Sequence, residues 1–93
     1  MVHIEACCGS VDDALAAEDA GVDRIELNSS LFLGGLTPSV GALRIACERL
    51  DIPVMAMIRP RAGGFAYTDT ELESMLLDID FAREAGAAGV VFG

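Results

Sequence analysis

Residues 54–65 read Val-Met-Ala-Met-Ile-Arg-Pro-Arg-Ala-Gly-Gly-Phe, and this stretch decides the fold. Its first five residues are apolar and form a buried strand, which two arginines, a proline and a glycine pair then end. Charged side chains directly after a buried strand are typical of parallel α/β proteins, because these folds place their sites beyond the carboxyl ends of the strands. The stretch therefore predicts a buried parallel strand that leads into a functional loop.

Strand-like and helix-like segments alternate along the whole chain. The predicted strands are 3–7, 23–28, 54–58 and a segment that begins at Val90. The predicted helices begin after Ser10, at Thr37-Pro38 and after Thr68, each of which is a helix-capping residue or pair. The short connections in the order β-α-β-α-β-α-β require parallel strands joined by right-handed crossovers.

The fourth strand ends the sequence without a following helix. A parallel sheet needs helices on both faces or closure into a barrel, so the pattern predicts the first half of a (β/α)8 barrel of the TIM type. Residues 1–93 would then form a single incomplete domain with strands one to four and helices one to three. Because unpaired edge strands invite association, a homo-oligomer is a further expectation.

Composition limits the function classes. The chain has 15 acidic residues against six arginines and no lysine, which gives a net charge of −9 and excludes nucleic acid as a partner. No apolar run reaches the roughly 18 residues of a membrane span, and the start does not resemble a signal peptide. The three cysteines form no disulfide pattern. We therefore expect an acidic, cytoplasmic protein without a membrane partner.

Strand alternation predicts a polar cluster on the inner face of the sheet. Glu5, Glu26 and Arg59 alternate with apolar residues on three different strands, so they should meet near the mouth of the barrel. One interpretation is catalytic, with the carboxylates as acid or base and Arg59 orienting a ligand. The other is an internal salt-bridge layer that fills the end of the barrel.

The loop after the third strand predicts an anion site. Arg61 could bind a phosphate-like group together with the exposed backbone N–H groups of Gly63 and Gly64. The alternative is an ordinary glycine turn with a solvated Arg61. With the carboxylates, such a site would make the chain an enzyme that acts on a small anionic metabolite.

Soft metal ligands also point inward. Cys7, His3, Met55 and Met57 fall on the inner side of their strands, and a thiolate with thioethers suits Cu(I). Inward methionines are, however, commonly core filler. Cys8 faces the helices and Cys47 lies on the apolar stripe of the second helix, so both are expected to be packing residues.

Five pieces of the sequence, in this order, resemble the CutC family, whose members are linked to copper homeostasis and are built as (β/α)8 barrels. The pieces are EACCGS (5–10), AGVDRIEL (20–27), GGLTPS (34–39), IRPR (58–61) and GVVFG (89–93). The resemblance implies a Cu(I) site that pairs a cysteine from each of the first two strands. This chain keeps Cys7 but has Asn28 in the second place, so we expect weak copper binding that depends on Cys7.

Three functions therefore remain open. The first is a CutC-like copper-homeostasis protein with copper bound through Cys7. The second is a barrel enzyme that acts on a small anionic metabolite. The third is a fragment that has no function by itself.

Overall fold

The computed structural model describes residues 2–92 as a parallel sheet of four strands that alternate with three α-helices. The elements are β1 (Glu5–Cys8), α1 (Val11–Asp19), β2 (Arg24–Leu27), a short 3-10 helix (Leu31–Leu33), α2 (Val40–Arg49), β3 (Val54–Ile58), α3 (Asp69–Ala85) and β4 (Gly89–Phe92). The strand order is β1-β2-β3-β4 and every pairing is parallel. The predicted α/β class and topology are therefore confirmed. Met1 and Gly93, the ends of the predicted domain, lie outside the described residues.

Side-chain caps begin α1 and α3 where the sequence predicts them. The Ser10 hydroxyl accepts a hydrogen bond from the Asp13 N–H at 3.1 Å. At α3, the Thr68 hydroxyl accepts from the Glu71 N–H at 3.1 Å, and the Glu71 carboxylate accepts from the Thr68 N–H at 2.9 Å. These bonds satisfy backbone donors that the first helical turn would leave unpaired. No helix in residues 2–92 is long and apolar enough to cross a membrane.

The predicted start of α2 at Thr37-Pro38 is wrong by two residues. The helix is capped by Ser39, whose hydroxyl accepts from the Ala42 N–H at 3.1 Å. The Thr37 hydroxyl instead accepts from the Arg59 N–H at 2.8 Å and donates to the Arg59 carbonyl at 3.1 Å. Thr37 therefore fastens the loop before α2 to the end of β3, a long-range contact that local capping signals do not contain.

One face of the sheet packs on the helices and forms the core. Its centre is Ile25, Leu27 and Ile58, which are the largest fully buried side chains. Burial of each such side chain contributes about 1.5–3 kcal/mol. This is the apolar set that strand alternation predicts, and the core fixes which side chains remain on the opposite, inner face.

The apolar residues of α3, which recur at helical spacing along one stripe, are only partly buried. Met75 and Ala82 lie in the interior, but Leu72 is 46% exposed and Leu76 is 64% exposed. The reason is that β4 is an edge strand, so that within residues 2–92 no further element covers the outer half of the stripe. An uncovered apolar face of this kind is expected of a partial barrel.

Candidate functional site

Two neighbouring strands bring Glu5, Cys7 and Glu26 together on the inner face of the sheet. In the register of β1 and β2, Cys7 lies opposite Glu26 and Glu5 lies opposite Arg24. One ligand atom from each of the three side chains lies within 4.8 Å of the others. We call Glu5, Cys7 and Glu26 the inner-face cluster; the sequence predicts all three as site residues, and the structure brings them together.

The two carboxylates of the cluster are compensated differently. Glu5 forms an ion pair with Arg24, its register partner. Glu26 is only 9% exposed, and among residues 2–92 it has no ion-pair partner. A buried carboxylate without a counter-charge is costly, and a bound cation would relieve that cost.

The thiol of Cys7 is held in its protonated form. Although the Cys7 residue as a whole is exposed, partial desolvation of its thiol is the main cause that raises the pKa of Cys7; the negative charges of Glu26 and Glu5 beside it raise that pKa further. A metal ion must therefore displace the thiol proton, and its positive charge would reverse the carboxylates' effect on the pKa.

Asn28 fixes the position of Glu26. It is 3% exposed, and its Nδ2 donates to the Glu26 carbonyl at 3.1 Å and to the Glu26 carboxylate at 3.5 Å. On its other side, a Cβ at Gly35 would lie 2.4 Å from Asn28 Oδ1, and Gly35 has a φ of 92°. The sequence predicts that Asn28 faces inward but does not reveal this clamp, because Gly35 lies in a loop seven positions further along the chain.

The ligands of the cluster suit a divalent ion better than they suit Cu(I). Cu(I) prefers thiolates and thioethers, whereas the cluster offers one thiol with two carboxylates. Met55 is the register neighbour of Glu26, but its methyl group packs on β4, where a Cβ at Gly89 would lie 2.6 Å from Met55 Cε. Carboxylates with one thiolate are a donor set that divalent ions such as Zn²⁺ accept.

Arg59 does not join the carboxylates, so the predicted three-residue cluster is wrong in this respect. Its guanidinium donates to the carbonyls of Leu33 at 3.1 Å, Gly35 at 3.4 Å and Gly63 at 2.9 Å, and it lies 5.0 Å from the ring centroid of Phe65. Its Nε is buried and has no hydrogen-bond partner. Arg59 follows the last residue of β3, so strand alternation no longer directs its side chain into the barrel.

Arg61 is also engaged by the protein. Its guanidinium forms a two-point ion pair with Glu71, at 2.7 and 3.3 Å, and donates to the carbonyls of Gly64 and Ala66. It lies 5.0 Å from the ring centroid of Tyr67. These contacts order the loop that leads into α3, while the Arg61 side chain stays 37% exposed to solvent.

The glycine pair presents its carbonyl oxygens to the two arginines. Gly63 adopts a φ of 98°, and its carbonyl accepts from Arg59, while the Gly64 carbonyl accepts from Arg61. The anion-binding role of Arg61, Gly63 and Gly64 stays a prediction, because the structure contains no ligand that tests it.

Comparison with known proteins gives consistent matches. The model of the CutC family matches residues 2–93. A CutC family protein of Treponema denticola is 54% identical over 92 residues, covering 99% of this chain and 37% of that protein. The human copper homeostasis protein cutC homolog is 51% identical over 90 residues, covering 97% of this chain and 33% of that protein.

A solved structure supports the fold. CutC from Streptococcus agalactiae superposes with a TM-score of 0.91 at 38% identity, covering 100% of this chain and 46% of that one. The chain therefore spans about a third of the length of these sequence relatives and under half of the solved chain. The likeness agrees with the predicted first half of a barrel.

Proposed function

The chain belongs to the CutC family, and we propose on this basis that it acts in copper homeostasis in the cytoplasm, as the N-terminal half of a (β/α)8 barrel. The names of the human and Drosophila melanogaster relatives refer to copper homeostasis, and these proteins are 51% and 48% identical to the chain. In this proposal residues 1–93 form one incomplete barrel domain, and the rest of the barrel covers the inner face of the sheet.

The observation that carries the proposal is the convergence of the inner-face cluster. A thiol and two carboxylates from adjacent strands present their ligand atoms within 4.8 Å of one another. Such a group can hold a metal cation, with the thiol releasing its proton to solvent as the metal–sulfur bond forms. The net charge of −9 gives the chain a field that attracts cations.

The alternative of an enzyme acting on a small anionic metabolite has less support. It needs guanidinium donors that are free to meet the anion. In the structure, the Arg59 guanidinium donates hydrogen bonds to loop carbonyls, and Arg61 forms an ion pair with Glu71. These contacts favour cation handling by the cluster over anion binding by the loop.

A cellular copper measurement tests the proposal. The natural chain and its variants would be expressed in a bacterium that lacks its own CutC relative, and total cell copper would be measured by mass spectrometry during growth in raised copper. We expect the wild-type protein to change cell copper, and Cys7→Ser and Glu26→Gln to abolish that change. Cys47→Ser is the matched control, since Cys47 packs beside the core away from the cluster. Equal effects of all four proteins would contradict the proposal.

A further inference from the structure

We infer that the inner-face cluster of this chain takes a divalent cation in preference to Cu(I), and that Asn28 sets this preference. The inference rests on the proposed function, because it concerns the same cluster. It departs from the copper site that the family resemblance implies, and it follows from the charges and contacts on this face of the sheet.

The charge of the site is the first argument. With the thiol deprotonated, the cluster carries three negative charges, and Arg24 compensates one of them through its ion pair with Glu5. Two negative charges remain, so a divalent ion neutralises the site whereas Cu(I) leaves it anionic. Because Glu26 is nine-tenths buried, its uncompensated charge is expensive, and the site favours the ion that completes the balance.

Glu26 provides an independent argument. The inner face of the sheet lies open in the described part of the chain, yet Glu26 is nine-tenths buried there. Among these residues it has no arginine or histidine as an ion-pair partner. One carboxylate oxygen of Glu26 lies within 4.8 Å of the Cys7 sulfur. A buried carboxylate beside a thiol is a harder ligand than Cu(I) prefers, and it is one that Zn²⁺ accepts.

Asn28 decides the character of the site. Asn28 directly follows β2, and its N–H donates to the Cys8 carbonyl at 2.8 Å, so the pairing with β1 extends to it. Its side chain therefore lies on the same face of the sheet as Glu26, where a thiol would add a second soft ligand. Instead its amide donates to Glu26, and the backbone of Gly35 approaches that amide so closely that a Cβ there would lie 2.4 Å from Asn28 Oδ1. Hydrogen bonds that orient a ligating carboxylate commonly change metal affinity by about 10–100-fold. Asn28 is thus a positioning residue that orients the carboxylate and contributes no soft atom.

The geometry needs only a small adjustment. In a tetrahedral zinc site the ligand atoms lie roughly 3.5 Å apart. The cluster atoms lie within 4.8 Å of one another, so side-chain rotations of about 1 Å bring them to a common ion. Cys7 is exposed and can make that rotation, whereas the Glu5 carboxylate must turn while it is paired with Arg24.

Competition titrations on the natural chain test the inference. Zn²⁺ would be presented with a chromogenic chelator, and Cu(I) with bicinchoninate under anaerobic conditions. We expect Zn²⁺ affinity to fall about tenfold or more in Cys7→Ser, Glu26→Gln and Asn28→Ala. Asp12→Asn, which removes an exposed acid of α1, is the control and should change nothing. Asn28→Cys should raise Cu(I) affinity more than about tenfold, because it adds a second thiol.

The outcomes separate this inference from the proposed function. If Cu(I) binds the wild type more tightly than Zn²⁺ and through Cys7 and Glu26, the preference is wrong while the site stands. If neither ion depends on Cys7, the site itself fails. Should Asn28→Ala fail to fold by circular dichroism, Asn28→Leu replaces it, because leucine has a similar shape but no amide donor and no charge; unchanged Zn²⁺ affinity in that variant overturns the role of Asn28.

Discussion

Replacement of Arg59 by methionine tests how the two loops at the carboxyl ends of the strands are joined. Arg59 donates to carbonyls in the loop before α2 and in the loop before α3, and it stacks on Phe65. Each hydrogen bond of this kind contributes about 1 kcal/mol where water competes for the carbonyl. The aromatic contact adds about 0.5–1 kcal/mol. Removal of the buried, unpaired Nε returns about 1 kcal/mol, so Arg59→Met should lower the free energy of unfolding by about 2–3 kcal/mol.

Urea unfolding of the natural chain, followed by circular dichroism, measures this loss. Arg44→Met is the matched control, because Arg44 forms an exposed pair with Glu48 on α2 and should lose less than about 0.5 kcal/mol. The double variant Arg59→Met with Glu26→Gln should show additive losses, since the two side chains share no contact in the described residues. A rescue of Arg59→Met by Glu26→Gln, or a loss no larger than that of Arg44→Met, would refute this account of Arg59.

Three further predictions follow from single contacts. Gly35→Ala should lose at least about 2 kcal/mol of unfolding free energy and weaken Zn²⁺ binding, because the left-handed backbone at Gly35 and the nearby Asn28 side chain leave no room for a Cβ. The control is Gly41→Ala, in open space on α2, which should gain about 0.5–1 kcal/mol. Similar losses in both variants would contradict the close approach of Gly35 to Asn28. The pKa of Glu71 lies below its ordinary value of 4.5, first because of the backbone hydrogen bond with Thr68 at the start of α3 and next because of the hydrogen bond with Arg61. The stability that ionised Glu71 contributes is therefore present above pH 4.5 and is lost as pH falls through the lowered pKa. Glu71→Gln should differ from wild type in its urea midpoint at neutral pH and converge with it in acid, and a pH-independent difference would contradict this role of the Glu71 charge. Because the pKa of Cys7 is raised, Zn²⁺ affinity measured by chelator competition should rise about tenfold per pH unit up to that pKa, and a flat profile would show that no thiol proton is released.

The sequence predicts the fold well because its signals are local and repeated. Alternation places Ile25, Leu27 and Ile58 on the core side, and the Thr68 cap begins α3 where expected. The same alternation places Cys7 on the inner face, where the structure has it.

The errors arise where contacts are made between loops. The proline that follows Thr37 predicts that Thr37 caps a helix, but Thr37 forms hydrogen bonds with the backbone of Arg59, 22 positions away. Strand alternation predicts that Arg59 points inward, but Arg59 lies just beyond β3, where that alternation ends. The pairing of Glu5 with Arg24 depends on the register of β1 and β2, which a single sequence does not determine.

Titration of the natural chain with Co²⁺ tests most directly whether the inner-face cluster holds a cation through its thiolate. Co²⁺ accepts the same ligands as Zn²⁺ and gives a near-ultraviolet charge-transfer band when a thiolate is bound. The account predicts that this band appears, saturates at about one ion per chain, is lost in Cys7→Ser and is kept in Cys47→Ser. Absence of the band in the wild type, or its survival in Cys7→Ser, would contradict the account.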